Sequence, residues 1–504
     1  MVSAPGARGF GAIRPGGVAY APVRSSSPRN ISSVVCSILV PPRVYCWASC
    51  CSASASAAPS VGGGVAYSRT LPVKHEVDVF VAGGGPAGVA AAVSAARHGA
   101  KVFLAEGHTC LGGMSTAGRV MVFMTTSDGV RTLDAGFGAR VRARLKKEAR
   151  LKGHANDLEA FKRVYDAEMA EAGAGFSFYT RVADVVTEGG AIQYVVCASP
   201  SGMWAVKAKV YIDCTGNGDL AAWAGADWKK GDAKGHMMPG TLVSYWSDLD
   251  WAAWDRDRPK PFPGSGQPFG AYLPEANRDG VLSVPDLHFS GIFRQDGGLG
   301  LANMGHCFDV DGTDEASLTK ALVEGRRSMV EYERYLHDYL RHGMEKARLL
   351  ATGELLGVRE TRRITGDYVL SLADYLARAS FPDEIGRYSY PIDIHPSSAD
   401  PKAMAEHVKQ FNAQYRYRRG ESYGIPYRIL TPKGIANLLV AGRCVSSDEM
   451  VQASIRVIPA CYITGQAAGV AAALAADRAL SVHDVPVKEL QAKLRAYGAY
   501  LPQA

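Results

Sequence analysis

The feature of this sequence that most constrains its fold is a glycine-rich turn between two short apolar runs. Residues 77–82 (VDVFVA) and 101–105 (KVFLA) are rich in β-branched and aromatic side chains, which predicts buried parallel strands. Between them, residues 86–98 are rich in alanine and are followed by Gly99, which is typical of a helix and its end. The sequence therefore predicts a strand–helix–strand unit with a right-handed crossover.

The glycines of this turn, GGGPAG at 83–88, each have a physical task in binding a dinucleotide. Gly83 permits the tight exit from the strand, Gly85 lets the backbone approach a diphosphate, and Gly88 lets the helix touch the strand. The helix aims its free N–H groups at the diphosphate, and a proline at its start costs little because that N–H would be unpaired. The predicted binding turn therefore also includes Pro86 and Ala87.

A carboxylate stands where the second apolar run ends. Glu106 follows KVFLA, and there its oxygens can accept hydrogen bonds from both hydroxyls of an adenosine ribose. A glycine-rich turn without a ligand is the alternative, but strand, turn, helix and acid in this order favour a bound dinucleotide. No second such unit is found, because the glycines at 297–300 have no buried strand before them. A separate pyridine-nucleotide domain is therefore not expected.

The positive charge of the chain lies in its first residues. The net charge of the whole chain is +7. The residues before Glu76 include seven Lys and Arg but no Asp or Glu, so the rest of the chain is formally neutral. This distribution argues against a nucleic-acid-binding face. An acid-free leader containing Arg and Ser predicts an organellar transit peptide, chloroplast ahead of mitochondrion, with an extension of no function as the alternative. Its apolar run at 34–40 is too short to span a membrane.

Cysteine spacing excludes two classes of protein. Of the ten cysteines, those beyond the leader are widely separated and form no C-x-x-C pair, which argues against a zinc site and against a disulfide scaffold. The absence of C-x-x-x-x-C after Glu106 also argues against dithiol transfer. We expect reduced, mostly buried thiols.

The remaining pattern divides the chain into four parts. We expect a leader at 1–75, a nucleotide-binding domain built from 76–235 and 431–504, and a substrate-facing cap at 236–430, whose helical block at 345–370 packs on the first domain. Further predicted elements are a charged helical segment at 140–172, antiparallel strands at 176–186 and 192–198, a strand at 209–214, a helix at 317–341, a strand at 437–441 and a small-residue helix at 457–476.

Three further segments resemble signatures of one flavoprotein family. Residues 213–226 (DCTGNGDLAAWAGA) are similar to its second signature, 437–475 resemble its C-terminal strand and helix, and 357–368 (GVRETRRITGDY) resemble another block. Together with the first motif, they make the chain resemble the FAD-dependent oxidoreductases of the glutathione-reductase-like flavoproteins, relatives of fumarate reductase flavoproteins and plant thiazole synthase. The resemblance covers roughly 76–480. It implies an α/β fold, with a Rossmann-like FAD-binding domain of the glutathione-reductase type and an inserted mixed α+β substrate domain.

The resemblance also implies the cofactor and its ligands. The cofactor is expected to be FAD, held non-covalently because the H-S-G-G pattern of the covalent flavoproteins is absent. Asp448 is a loose candidate for the acid that bonds the ribityl chain, and the helix after Pro459 is expected to point at the flavin pyrimidine edge. The residues expected to hold FAD are Gly83, Gly85, Pro86, Ala87, Gly88, Glu106, Gly112, Gly113, Thr215, Gly216, Asp219, Gly442, Arg443 and Arg456.

Candidate catalytic residues are weighed against structural roles. His395, in a strand-like D-I-H-P segment, suits a proton shuttle near neutral pH, and the alternative is a structural histidine bonded to Asp393. Arg359 and Arg363, in a cluster with Arg362 and Glu360, could clamp an anionic group, and pairing with local acids is the alternative. Weaker candidates are Arg428, Cys110 and His306.

These features predict an FAD-dependent oxidoreductase that transfers a hydride between a small organic substrate and flavin N5. Its electron donor or acceptor is not indicated, a homodimer is one option, and neither a membrane span nor a nucleic-acid partner is expected. Two alternatives stay open: a plastid biosynthetic enzyme of the thiazole-synthase type, and a flavin-binding protein without turnover. The longer C-terminal half and the lack of a sulfur-donor cysteine context count against the first.

Overall fold

The structure of the protein is a computed structural model that describes residues 65, 67–262, 267–287, 289–400, 402–403, 406, 409 and 415–502. Most of the predicted leader at 1–75, including its apolar run at 34–40, lies outside the described residues. Residues from Arg69 onward form one unit. The first strand of that unit begins at Val73, before Glu76, where the composition changes.

The strands of the described residues alternate with helices as the sequence predicts near the N-terminal glycine turn. They are β1 (Val73–Ala82), β2 (Val102–Ala105), β3 (Gly175–Ser177), β4 (Arg181–Glu188), β5 (Ala191–Ser199), β6 (Gly202–Asp213), β7 (Trp228–Lys230), β8 (Ser244–Ser247), β9 (Phe289–Gln295), β10 (Leu299–Met304), β11 (Arg348–Thr352), β12 (Arg362–Ile364), β13 (Glu384–Tyr388), β14 (Tyr423–Pro426) and β15 (Leu438–Val440).

The helices confirm the predictions at 86–98, 317–341 and 457–476, but the prediction of a helical block at 345–370 is wrong, because that segment contains the strands β11 and β12 and no helix. The helices are α1 (Pro86–Arg97), α2 (Phe137–Glu148), α3 (Leu158–Ala172), α4 (Asp219–Trp223), α5 (Trp251–Asp257), α6 (Leu273–Arg278), α7 (Glu315–Arg334), α8 (Leu372–Ala377), α9 (Glu449–Ile455), α10 (Ile458–Arg478) and α11 (Val487–Ala496). The segment predicted as one helix at 140–172 is two, because Asp157 caps α3 by accepting from the N–H groups of Glu159 and Ala160. The π-helical turn Tyr335–Leu340 continues α7.

The main sheet has seven strands, and the glycine turn lies at the carboxyl ends of its parallel strands. Its order is β3-β2-β1-β6-β5-β4, with β15 also paired to β6, and β1, β2, β3, β6 and β15 run parallel. Ala82 lies opposite both Ala105 and Asp213, and Val440 lies opposite Asp213. The carboxyl ends of four parallel strands therefore meet, which is where ligands bind in open α/β sheets. The predicted antiparallel pair is β4 and β5.

Helices α1 and α10 cross on one face of this sheet through small residues. A Cβ added at Gly465 would overlap the carbonyl oxygen of Ala87, and one at Gly469 would overlap that of Ala91. The two backbones are thus in direct contact, which requires glycine at both positions. Among the described residues α10 is the one helix long and apolar enough to cross a membrane, and it is buried throughout its apolar window inside the fold.

A second, antiparallel sheet stands apart from the first. Its order is β11-β8-β10-β9, and it packs against α5, α6 and α7 around a core that includes Trp246, Trp254 and Tyr335. Of the glycines at 297–300, Gly297 and Gly298 lie in the turn between β9 and β10, and Gly300 lies in β10. The expectation that no buried strand precedes them is wrong, because β9 does. The hairpin leads into an antiparallel strand rather than a helix, so it forms no second nucleotide-binding unit.

Candidate functional site

A cavity of ≈ 1350 Å³ opens at the carboxyl edge of the main sheet and reaches the second sheet. Small-ligand sites commonly enclose about 300–1,000 Å³, so this space is large enough for a cofactor together with a substrate. Its walls come from the turn after β1, the turn after β6, the start of α10 and the strand β9.

The first wall is the glycine turn at the start of α1. Gly85 is the N-cap, with φ −65° and ψ −177°, and no side chain caps the helix. A Cβ added at Gly85 would meet nothing within 4 Å, whereas one at Gly88 would overlap the carbonyl oxygen of Gly83. The turn therefore presents free helix N–H groups to an open space while the helix stays in contact with the strand behind it.

Glu106 holds this turn in shape. Its Oε2 accepts a hydrogen bond from the N–H of Gly84 at 2.7 Å, and its Oε1 accepts one from the N–H of His108 at 2.8 Å. The carboxylate is buried yet lines the cavity, so its remaining lone pairs face the ligand space. Opposite it, Gly112 and Gly113 have φ of 103° and 48°, which favours glycine, and the N–H of Gly112 donates to Gly84 O at 2.8 Å.

The second wall is the turn after β6. Asp213 accepts from the N–H and Oγ1 of Thr215 at 2.9 and 2.8 Å and from the N–H of Ala221 at 2.8 Å. Burial raises the pKa of Asp213 to about 6. Arg443 spans this turn and the neighbouring segment, donating to Gly216 O at 2.7 Å and to Val358 O at 3.0 Å. Burial lowers the pKa of Arg443. Both side chains fix the backbone that lines the cavity.

The third wall carries a buried chain of charged side chains. His395 Nε2 lies 3.3 Å from Asp393 Oδ1, and His395 Nδ1 lies 2.9 Å from His306 Nε2. His306 Nδ1 in turn lies 3.1 Å from Asp286 Oδ2. Arg456 reaches the other oxygen of Asp393 at 3.2 Å. Burial by itself would raise the pKa of Asp393, but His395 and the arginines hold it well below its usual range.

The two imidazoles lie in a row between two carboxylates. Among the described residues no group of His, Cys, Asp and Glu has the arrangement of a metal site. A hydrogen bond joins His306 and His395, and the outer ring nitrogens lie 3.1 Å from Asp286 and 3.3 Å from Asp393. Protons on both outer nitrogens and between the rings would number three, whereas two neutral imidazoles hold only two. A pair with all three protons would carry one positive charge, with a carboxylate at each end.

Arg359 lies beside this chain and also lines the cavity. Its side chain donates from Nη1 to Pro239 O at 2.7 Å and to Thr241 Oγ1 at 2.9 Å. The residue is only 8% exposed. Burial, and then the charge of Arg456, lower the pKa of Arg359 to about 10. A cation is thus held in a largely dry place, next to Asp393 and Asp286, which act on it electrostatically.

Comparison with known proteins decides the family. Residues 78–494 match the family model described as FAD dependent oxidoreductase. The chain belongs to this family. Its cofactor is FAD and the protein is an FAD-dependent oxidoreductase. A comparison with curated proteins found no match.

Solved structures similar to this oxidoreductase share little sequence with it. A geranylgeranyl bacteriochlorophyll reductase-like protein from Thermoplasma acidophilum is 13% identical, with 84% of each chain covered and a TM-score of 0.42. The flavin-dependent brominase Bmp2 is 11% identical, with 84% and 82% covered and a TM-score of 0.43. Thermovibrio ammonificans THI4 is 20% identical, with 30% and 64% covered and a TM-score of 0.23.

The residues present in this FAD-dependent oxidoreductase fit the cofactor. The free space at Gly85 and the uncapped start of α1 suit a diphosphate, which needs N–H donors and close backbone approach. Glu106 suits a ribose, and the start of the long helix α10, whose N-cap Val457 offers no side-chain cap, also lines the cavity. These groups would hold the diphosphate, the adenosine ribose and the flavin end, respectively.

Most predicted site residues line this cavity. Those that do are Gly83, Gly85, Pro86, Ala87, Glu106, Gly113, Thr215, Gly216, Asp219, Gly442, Arg443, Arg456, Arg359 and His395. Gly88 and Gly112 lie behind the lining, in backbone contacts that shape it. His395 lies in an irregular segment, not in the predicted strand.

Other predicted residues are placed away from the cavity by local partners. Arg363 pairs with Glu360 and donates to Gly231 O at 2.9 Å. Asp448 caps α9 and accepts from the N–H of Leu372, so it does not line the cavity as a ribityl ligand would. Arg428 pairs with Asp383 at 2.9 Å. Burial raises the pKa of Cys110, which keeps its thiol protonated.

Sequence reasoning missed the partners that give His395 its chemistry. Asp286 stands in no motif, and His306 was only a weak candidate, although these two side chains complete the buried chain. The sequence indicated Asp393 only as a structural partner of His395. Tyr390, whose OH donates to Asp393 at 3.1 Å, lies in no motif that would have marked it as part of the site. Their positions in the sequence do not reveal that they meet in space.

Proposed function

We propose that this oxidoreductase transfers a hydride between a small organic substrate and the flavin, and that the His306–His395 pair exchanges the accompanying proton with the substrate. The observation that carries the proposal is the buried, hydrogen-bonded imidazole pair, whose outer nitrogens each lie within 3.3 Å of a carboxylate oxygen and whose member His395 lines the cavity. When bound, FAD supplies hydride acceptance or donation at N5 of its isoalloxazine ring.

His395 is the member of the pair that meets the substrate, because it lines the cavity. Its 3.3 Å approach to Asp393 is the longest contact in the chain, and catalytic hydrogen bonds are often long before a substrate is bound. A substrate oxygen or nitrogen can replace Asp393 as the partner of His395 Nε2. This exchange puts the ring proton directly on the path to the reacting group.

Protons balance in both directions of the reaction. When the substrate is reduced, His395 Nε2 gives its proton to the substrate, and two neutral imidazoles remain, still joined by the bond between the rings. When the substrate is oxidised, the neutral pair takes up the proton that leaves the substrate. Asp286 and Asp393 favour the protonated pair, and Arg456 keeps Asp393 ionised.

The test begins with the holoprotein under anaerobic conditions. Hydroxy acids, amines, sugars and saturated acids are screened for bleaching of the oxidised flavin, and unsaturated acids for reoxidation of chemically reduced flavin. His395→Gln should slow the responding reaction by about 10²- to 10⁴-fold, the usual contribution of a general acid or base. His306→Gln should slow it less, because the proton donor itself is retained.

His154→Gln is the matched control, because His154 is exposed and its ring bonds to no other described residue. Its rate and flavin content should equal those of the wild type. A His395→Gln variant that keeps the wild-type rate would contradict the proposed proton transfer. If no compound in either screen changes the flavin spectrum, the results would favour the alternative hypothesis of a flavin-binding protein without turnover.

A further inference from the structure

Arg359 is a buried cation whose charge is not matched by an ion-paired acid. Among the described residues, no Asp or Glu oxygen lies within 4.0 Å of its guanidinium nitrogens. Its neighbours Arg362, Arg363 and Arg456 each have such a partner. A buried charge is normally paired, because taking it out of water is costly. We therefore expect the anionic partner of Arg359 to be supplied by a bound ligand.

The donors of this arginine are divided between the protein and the cavity. Nη1 is used by Pro239 O and Thr241 Oγ1. Within the described part of the chain, Nε and Nη2 donate to no protein acceptor, although the residue is 8% exposed and lines the cavity. Nε and Nη2 form the side-on fork of the guanidinium, which matches the two oxygens of a carboxylate.

The same cavity also has many apolar side chains in its lining. They include Leu287, Phe289, Phe293, Leu318, Leu322 and Leu356, beside polar residues such as Ser290 and Asn303. The apolar side chains come from β9 and the chain just before it, from α7 and from the segment just before Arg359. A ligand that fills this space needs a hydrophobic body, and one anionic group suffices to meet the guanidinium.

We propose that the substrate of this enzyme is a carboxylic acid with an apolar body, whose carboxylate binds the Nε and Nη2 atoms of Arg359 while its reacting carbon lies near His395. This assignment rests on the proposed function, since it names the substrate class of the same site. A carboxylate fits better than a phosphate dianion, because Asp393 and Asp286 act on the same cation and repel a second negative charge.

The diphosphate of FAD is not the anion that we expect at Arg359. The electrostatic neighbours of Arg359 are Arg456, Asp393, Asp286 and Tyr390, whereas the expected diphosphate space is bounded by the turn at the start of α1. Loss of Arg359 should therefore leave flavin content unchanged.

The test measures binding without turnover. Oxidised holoprotein is titrated by calorimetry with sodium octanoate, with its neutral isostere octanamide and with octyl phosphate. Octanoate should bind more tightly than the other two. Arg359→Met should weaken octanoate binding roughly 10- to 100-fold, the value of one charge-assisted pair, and change octanamide binding less than about twofold.

Two further variants keep the result decisive. Arg359→Lys keeps the charge but removes the fork, so its octanoate affinity should fall between wild type and Arg359→Met, and it serves if Arg359→Met does not fold. Arg327→Met removes an exposed arginine of α7 and should bind octanoate as the wild type does.

Three outcomes would overturn the inference: equal affinity for octanoate and octanamide, tighter binding of octyl phosphate, or no octanoate binding to the wild type. Loss of FAD from Arg359→Met would also overturn it, by assigning the arginine to the cofactor. None of these results depends on flavin reduction. A failure of the proposed hydride transfer would instead appear in the bleaching screen and in the His395→Gln rates.

Discussion

Replacement of Gly85 by alanine should separate the folding role of the glycine turn from its binding role. Gly85 has φ −65° and ψ −177°, a conformation open to any residue, and an added Cβ would meet nothing within 4 Å. The apo protein should therefore keep its stability or gain up to about 1 kcal/mol, because alanine narrows the unfolded ensemble. The methyl would occupy the space through which a diphosphate approaches the start of α1.

The expected loss of FAD affinity follows from the hydrogen bonds that this approach allows. Each bond from a backbone N–H to a charged phosphate oxygen contributes roughly 1.5–3 kcal/mol, so displacement of one or two should weaken FAD binding by about 10- to 10⁴-fold. Gly88→Ala is the contrasting variant. Its Cβ would overlap the carbonyl oxygen of Gly83, so we expect destabilisation of about 3 kcal/mol before any ligand is added.

The assay removes FAD with a chaotrope, refolds the apo protein, and measures urea unfolding and FAD titration separately. Gly85→Ala should unfold in urea at least as late as the wild-type apo protein, but its affinity for FAD should be lower. If Gly85→Ala binds FAD within twofold of wild type, the diphosphate does not approach this backbone, and the placement of the cofactor is refuted. A Gly85→Ala apo protein that unfolds as readily as Gly88→Ala would refute the claim of open space.

Three further predictions can be checked independently. Gly465→Ala should lower the free energy of unfolding by about 1–3 kcal/mol in urea denaturation, because its Cβ would overlap Ala87 O in the α1–α10 crossing; an unchanged midpoint would contradict that close packing. Burial raises the pKa of Asp134 to about 6 against the pull of Arg142, so the folded state holds this proton more tightly and the contribution of Asp134 to stability falls as pH rises from about 4 to about 6. In chemical denaturation, the stability of Asp134→Asn relative to the wild type should therefore be about 2 kcal/mol more favourable at pH 7.5 than at pH 4, and parallel pH profiles would argue against the shift. Residues 1–75 fused to a fluorescent protein should direct it to chloroplasts, whereas mitochondrial import would favour the second organelle and a cytosolic signal would remove the transit-peptide hypothesis.

Local patterns in the sequence predicted the cofactor half of the site. The run VDVFVA, the GGGPAG turn and Glu106 stand within one strand–helix–strand unit, so their relative positions follow from local geometry alone. The turn itself requires glycine at Gly83 and Gly88, where a Cβ would overlap neighbouring backbone, whereas glycine at Gly85 is required only by the approach of the ligand. For the same reason the strand β6 with its Thr-Gly-x-Gly-Asp turn, and the small-residue helix α10, were recognisable without coordinates.

The substrate half depended on contacts between distant segments. Asp286, His306, His395 and Arg456 come from four separate segments, and no spacing rule links a residue before β9 to a loop after β13. Similarly, Arg359 and Arg363 look alike in the sequence, yet Glu360 pairs with Arg363 and leaves Arg359 facing the cavity.

The sequence by itself thus determined that this chain forms a dinucleotide-binding unit, because that unit is built from neighbouring residues whose backbone conformations are restricted by type. The tertiary structure alone decided that His306 and His395 are hydrogen-bonded to each other and that Arg359 has no ion-paired acid among the described residues. Those properties arise from burial and from the charges that packing brings within a few ångströms, and neither is encoded in the spacing of residues along the chain.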